Sequence, residues 1–303
     1  MRVDACRLLL TDTTPPMRIL ITNDDGVFAP GIAALARGLS ASLGPEDDLI
    51  VVAPLTNQSG CGAAVGAVYD RESIAYENVE IPGLARIPTY GIDGSPALAV
   101  ILAAIGGFGP EPDLVVSGVN EGLNTGRSAL HSGTVGAVLT AAQFGVSGLA
   151  VSIAWASEPI PWETPVRIAT DLLPALTRMA PPTVLNLNVP AVPLDQFKGL
   201  RHGTLGKMGL IRAVRPENTP EPVAGVPLDR TSGSITLTLR GASGSDRVAE
   251  RAELEPGSDA AIVADGWGSV TTLLGVHEDT SPAGEEALAA ALVAYPTPTG
   301  ESH

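Results

Sequence analysis

Asp24 and Asp25 stand side by side, just after the apolar run Met17 to Thr22 and just before Gly26. Two adjacent carboxylates at a strand end repel each other and lose hydration, and a divalent cation offsets both costs. Oxygen-bearing side chains follow two further apolar runs. Asn57-Gln58-Ser59-Gly60 comes after Leu49 to Ala53, and Gly118-Val119-Asn120-Glu121-Gly122, with Asn124 and Gly126, comes after Asp113 to Ser117. Carboxylate, hydroxyl and amide oxygens are hard donors that suit Mg2+ or Mn2+, with Ca2+ as the alternative. The donor set chosen on this basis is Asp24, Asp25, Ser59 and Asn120, holding one divalent ion per subunit. Each fragment alone reads as an ordinary turn or loop, since Asp, Asn and Gly are common there. The coincidence of three such fragments carries the assignment.

Ser132-Gly133-Thr134 precedes a clean helical pattern. Free amides at a helix start, with the helix dipole, form a seat for an anion such as phosphate, although the triplet alone is equally an ordinary Ser cap. Asn23 and Asn124 lie where they can add contacts to the same ligand. His131 is the histidine placed to move a proton near neutral pH, with a wall of the site as its bland alternative. His202, His277 and His303 have no evident partners, and Cys61 has no paired base, so it reads as a small buried residue.

The elements that must carry these residues alternate. Strands are expected over Met17 to Thr22, Leu49 to Ala53, Asp113 to Ser117, Leu149 to Ile153 and Val184 to Val189. Helices are expected from Pro30 to before Gly44, from Ser95-Pro96 to Ala104, over Thr134 to Phe144 and over Pro165 to Met179. Most strands are continuous apolar runs, which points to parallel strands covered on both faces, and the alternation implies right-handed crossovers in a doubly wound α/β sheet. Ligands in such sheets bind beyond the carboxyl ends of the strands, where the oxygen-rich segments fall.

Residues 1–16 read as a loose, disordered leader, 17–190 as the catalytic core, and 191–303 as a β-rich excursion for subunit contact with a closing helix. In that last region Ala213 to Pro227 reads as irregular. Ser234 to Leu239, Ala261 to Val263 and Ser269 to Leu274 read as strands, and Glu285 to Ala294 as a helix.

The chain has 303 residues, is 45% hydrophobic and only 4% aromatic, and carries a formal net charge of −15. That field repels a nucleic-acid polymer, while a small anion can still bind where a cation reverses the local sign. Two cysteines do not make a disulfide framework, so the expected location is the reduced cytoplasm. The uncharged stretch Thr134 to Ala156 is broken by Gln143, Gly145, Ser147 and Gly148, and reads as helix, turn and strand with no membrane partner.

Taken in order, these segments resemble the SurE (survival protein E) family of 5′/3′-nucleotidases. Ile19 to Gly26 with Ala29-Pro30-Gly31-Ile32 resembles its opening signature, and Val51 to Pro54 with Asn57 to Gly60 its second motif. Pro112 to Gly126, Ser132 to Ala137 and Asn186 to Pro190 are similar to later ones. Several motifs in order are more specific than any one. The resemblance runs from about Met17 to Pro190 and weakly on to about Asp279.

It implies a Rossmann-like core and a divalent metal on Asp24, Asp25, Ser59 and Asn120. It also implies hydrolysis of nucleoside 5′- and 3′-monophosphates, activity on short polyphosphate, and a homodimer or homotetramer with exchanged C-terminal elements. Three positions depart from the family pattern: Leu98 stands for an Asp, His131 for an aromatic residue, and Thr140 lies where an acidic residue is usual. These put the substrate in question, leaving as alternatives another small phosphate ester or a nucleotide-binding module without catalysis. Either the cation activates the attacking water or Asp24 or Asp25 orients or deprotonates it. No Gly-x-Gly-x-x-Gly follows the first strand, which argues against a dinucleotide-dependent dehydrogenase.

Overall fold

β1 (Arg18–Thr22) forms because every residue after the first is buried between two helical layers, with Ile19 and Ile21 facing one layer and Leu20 the other. In the computed structural model the described residues are 16–207, 212–214, 238–240, 254–276, 281–283 and 286. The chain through Leu273 is one compact unit, and residues from Leu274 on belong to a second, of which a few positions are described.

Around β1 the first unit builds a nine-stranded sheet in the order β3-β4-β2-β1-β5-β6-β7-β11-β8. Its strands are β2 (Asp48–Pro54), β3 (Tyr76–Asn78), β4 (Thr89–Ile92), β5 (Leu114–Glu121), β6 (Ser147–Ile153), β7 (Val184–Val189), β8 (Leu200–His202) and β11 (Gly268–Leu273). Strands β4, β2, β1, β5, β6 and β7 are parallel, whereas β3 and β11 join antiparallel and β8 pairs parallel to β11. β9 (Arg212–Val214) and β10 (Thr238–Arg240) make a separate antiparallel pair.

Helices α1 (Pro30–Ser42) and α4 (Glu163–Leu176) cover one face, and α2 (Pro96–Ala104) and α3 (Gly133–Gln143) cover the other. In α1, Ile32, Leu35, Ala36 and Leu39 recur at helical spacing and are all buried against the Ile19 face. Val135, Val138 and Ala141 of α3 do the same on the Leu20 face. Full burial of one such Leu or Ile contributes about 1.5–3 kcal/mol. Gly31 lies against the carbonyl of Val119, so α1 approaches the end of β5 with no room for a side chain. Among the described residues no helix is long and apolar enough to cross a membrane.

The expected parallel core is present, with three adjustments. β5 continues past Ser117 through a register break to Glu121, so Asn120 and Glu121 sit on a strand end and not in a loop. Residues 261–263, expected as a strand, lie inside a short helix, α5 (Asp259–Ala264). A short apolar run does not distinguish strand from buried helix, and here Ser258 decides by accepting the Ala261 amide at 3.2 Å as a cap. Residues 212–214 form β9 where irregular chain begins in the sequence reading. Most of the remaining expected irregular stretch, of the Ser234 to Leu239 strand and of the Glu285 to Ala294 helix lies outside the described residues.

Candidate functional site

Asp24 leaves the end of β1 with only 3% of its surface exposed. Its carboxylate is gripped from α3: the Gly133 amide donates to Oδ2 at 3.0 Å and the Thr134 hydroxyl to Oδ1 at 2.6 Å. An anion at a helix N-terminus is stabilised by the unpaired amides and the helix dipole. Ser132 completes this start by accepting the Val135 amide at 3.1 Å. The triplet read as a phosphate seat therefore engages Asp24 directly, and its cap and anion-holding roles coexist.

The turn after β1 is docked onto the end of β2. Gln58 donates its amide to the Asp24 carbonyl at 2.6 Å, Val27 donates to the Pro54 carbonyl at 2.7 Å, and the Asn57 side chain accepts the Ser59 amide at 2.8 Å. Gly26, at φ +105°, makes this approach in a backbone region that other residues avoid. Ser59, on the same turn, is solvent-exposed. Asn23 is fully buried beneath: its amide donates to the Gly26 carbonyl at 3.0 Å, while Oδ1 has no hydrogen-bond partner.

Asp25 meets the end of β5, accepting a hydrogen bond from the backbone of Glu121. Burial first, then the neighbouring Asp24 charge, pushes its pKa up to about 7, with the Glu121 carboxylate adding to the repulsion and the Glu121 amide opposing it. Next to it, Asn120 donates its side-chain amide to the Gly122 carbonyl at 2.5 Å. Through these contacts the ends of β1, β2 and β5 assemble at one sheet edge. Among the described residues no group of three His, Cys, Asp or Glu side chains could share an ion. A cation here would draw half of its proposed ligands from the neutral oxygens of Ser59 and Asn120. The donor chemistry suits such an ion: two neighbouring carboxylates, one made costly to ionise by burial and repulsion, with hard neutral oxygens carried by the adjoining turn and strand end.

Asn124 is itself held. Its amide donates to Asn188 Oδ1 at 2.8 Å, its carbonyl accepts from Asn186 at 2.8 Å and Asn188 at 3.1 Å, and its side chain donates to Ser152 Oγ at 2.9 Å. Asn186 and Asn188 are thus fixers of the loop after β5, a role that their place in an apolar strand did not announce. His131 is exposed, and its carbonyl accepts the Gly62 amide at 3.0 Å, which ties the Ser132 segment to the loop after β2. Cys61 lies against Gly133, and burial, then the Asp24 charge, raises its thiol pKa. Leu98 packs into the apolar core under a Ser95 cap, and Thr140 donates to the Gly136 carbonyl at 2.8 Å. Glu121 and Trp155 were not singled out from the sequence. Trp155 follows β6 and donates its indole N–H to the Glu121 carbonyl. The acid beside Asn120 was the available signal for Glu121, and Trp155 had none.

Comparison with known proteins bears on this geometry. Residues 19–210 match the family model described as survival protein SurE. The chain is 34% identical over 259 residues to the 5′/3′-nucleotidase SurE of Shigella dysenteriae serotype 1 (strain Sd197), covering 85% of this chain and 90% of that protein. The 5′/3′-nucleotidase SurE of Klebsiella pneumoniae (strain 342) matches with the same identity and coverage. The crystal structure of the SurE protein from Aquifex aeolicus superposes with a TM-score of 0.63 at 25% identity, covering 92% of this chain and all of that one.

Proposed function

The chain belongs to the survival protein SurE family, and from that premise we propose that it is a divalent-metal-dependent phosphomonoesterase, releasing phosphate from nucleoside 5′- and 3′-monophosphates. The observation that carries the reading is the gathering of Asp24, Asp25 and Asn120 at adjoining strand ends, with the Ser59 turn fastened to the Asp24 backbone. Asp24, Asp25, Ser59 and Asn120 would hold Mg2+ or Mn2+. When bound, the ion supplies charge neutralisation at phosphoryl oxygen and makes water more acidic.

The chain's own groups do the rest. The Gly133 amide and Thr134 hydroxyl fix the orientation of Asp24, so it enters the reaction already positioned. Asp25, hydrogen-bonded to the Glu121 backbone, is placed either to hold the ion or to orient the attacking water. Asn124 and the Ser132 segment would border the substrate, with His131 exposed beside them, whereas Asn23 and Thr134 are fully buried and act by supporting the turn and Asp24. Buried Leu98, in place of an acid, supports a second reading in which the preferred ester is not a nucleotide. The same proposal includes a cytoplasmic homodimer or homotetramer, which family membership supports.

A metal-by-substrate screen tests it. Purified protein with Mg2+ or Mn2+ should release phosphate from nucleoside monophosphates, and Asp24→Asn should lower kcat by at least about a hundredfold. Equal turnover by wild type and the variant would overturn the reading. Preference for sugar phosphates over nucleotides would select the second reading.

A further inference from the structure

We propose that Arg127 is the substrate-capturing cation of this site, a fixed positive charge at the rim that draws the phosphate dianion of the ester towards the Asp24–Asp25 edge. This rests on the phosphomonoesterase reading and adds to it how a strongly acidic chain recruits an anion.

The need for such a group follows from charge. The chain carries a formal net charge of −15, and a field of that sign repels a phosphate ester at long range. The three segments that build the site, residues 23–28, 55–62 and 118–134, contain the carboxylates of Asp24, Asp25 and Glu121. Even with a divalent ion in place, those carboxylates outnumber its charge. The same segments contain a single lysine or arginine, and it is Arg127.

Arg127 is exposed and is the second residue of a short 3-10 helix, Gly126–His131, that leads from the Asn124 loop to Ser132. At about 2 Å of rise per residue, its backbone lies roughly 10 Å from Ser132. A charge at that range acts within one Debye length, about 10 Å at 0.1 M salt. The helix is held at both ends. Buried Asp259 accepts the Gly126 amide at 2.8 Å, the Arg127 amide donates to the Gly206 carbonyl at 3.1 Å, and the His131 carbonyl accepts the Gly62 amide at 3.0 Å. The charge is therefore presented from a fixed backbone. Among the described residues, ion pairs engage Arg18, Arg71, Arg167 and Lys207, and none engages Arg127. Glu255 feels its field, but the pKa of that acid is lowered first by the Lys207 amide and least by Arg127. The Lys207 ammonium lies 3.5 Å from the same carboxylate, so Glu255 already has a cation of its own.

The experiment follows kcat/KM for AMP against ionic strength on the Mn2+-loaded enzyme, wild type beside Arg127→Glu, Arg127→Ala and Arg127→Lys. At an ionic strength of about 10 mM, Arg127→Glu should lose about five- to tenfold in kcat/KM, through KM, and the loss should shrink below about twofold at about 0.5 M. Arg127→Ala should fall in between, and Arg127→Lys should stay close to wild type. Exposed Arg178 follows α4 and precedes β7, at the amino ends of the strands and away from the site. Arg178→Glu changes the net charge equally and should leave kcat/KM within about twofold of wild type. A structural prop would lower kcat at every salt concentration, and an equal loss from Arg178→Glu would assign the effect to net charge. Either result overturns the proposal. If wild type hydrolyses no phosphate ester, the phosphomonoesterase reading fails. Calorimetric binding of AMP then decides: affinity lost by Arg127→Glu at low salt and regained at high salt supports capture, and equal or absent binding rejects it.

Discussion

The hydroxyl of Thr134 donates to Asp24 Oδ1 at 2.6 Å, joining residues 110 positions apart in the chain. Beside it the Gly133 amide holds the second oxygen, so the start of α3 is spent on a carboxylate of the site. A hydrogen bond to a charged group contributes about 1.5–3 kcal/mol. Thr134→Val keeps the shape and removes the donor, and should lower the unfolding free energy by about 2 kcal/mol in urea with an unchanged m-value. Thr134→Ser should restore most of the loss. A valine variant as stable as wild type would show that the contact contributes nothing.

Gly133 has no room for a methyl group. A Cβ there would lie 2.7 Å from the Asp24 Cβ, 2.8 Å from its Oδ2 and 2.8 Å from the Cys61 sulfur. Gly133→Ala should therefore turn Asp24 out of position, destabilise by about 1–3 kcal/mol, and weaken Mn2+ binding by at least about tenfold. Calorimetric titration of chelator-stripped protein measures the second effect. The same stripping should abolish wild-type phosphatase activity, and added Mn2+ should restore it. Full activity in the continued presence of chelator would refute the metal requirement.

The strands that carry the site were legible because they are buried on both faces: Ile19–Ile21 and Leu49–Ala53 are unbroken apolar runs, followed by a turn signal and by Pro54. β4 was not, because its residues Thr-Tyr-Gly-Ile contain a glycine, and that glycine is there to let the Leu55 side chain lie across it. The helix at Asp259–Ala264 was misread because six residues show too little period to separate helix from strand. Asp24 and Asp25 were chosen from type and position alone. Their partners Gly133, Thr134 and Glu121, and the anchored Trp155, are long-range contacts that no local spacing encodes.

Asn188 serves both polar groups of the Asn124 backbone, accepting from its amide and donating to its carbonyl. Asn188→Leu leaves that amide without its acceptor, while Asn186 still serves the carbonyl. The cost of one orphaned buried donor is about 1–3 kcal/mol. Thermal unfolding should fall accordingly. Phosphatase kcat should fall further than stability alone explains, because the loop after β5 carries Asn124 and leads to Ser132. Asn188→Asp keeps the acceptor and should retain more stability than the leucine variant at neutral pH. The reverse order would refute this account of the clamp.

Asp259 binds the same loop from α5, and its charge state makes that link depend on pH. The carboxylate is wholly buried and accepts the Gly126 amide at 2.8 Å, the Ala260 amide at 2.8 Å and the Gly206 amide at 3.4 Å. Burial raises its pKa above the ordinary carboxylate range, and the amides oppose that rise without cancelling it. The folded protein thus holds this proton more tightly than the unfolded chain. Stability from this group is complete below the unfolded pKa and is lost as pH rises through the folded one. Asp259→Asn cannot titrate, and it turns one acceptor into a donor facing backbone N–H groups, at a cost of about 1–3 kcal/mol. The advantage of wild type over Asp259→Asn in denaturant unfolding should be greatest near the acidic end and shrink as pH rises through the folded value. An advantage that grows over that window would mean that the amides outweigh burial and hold Asp259 ionised.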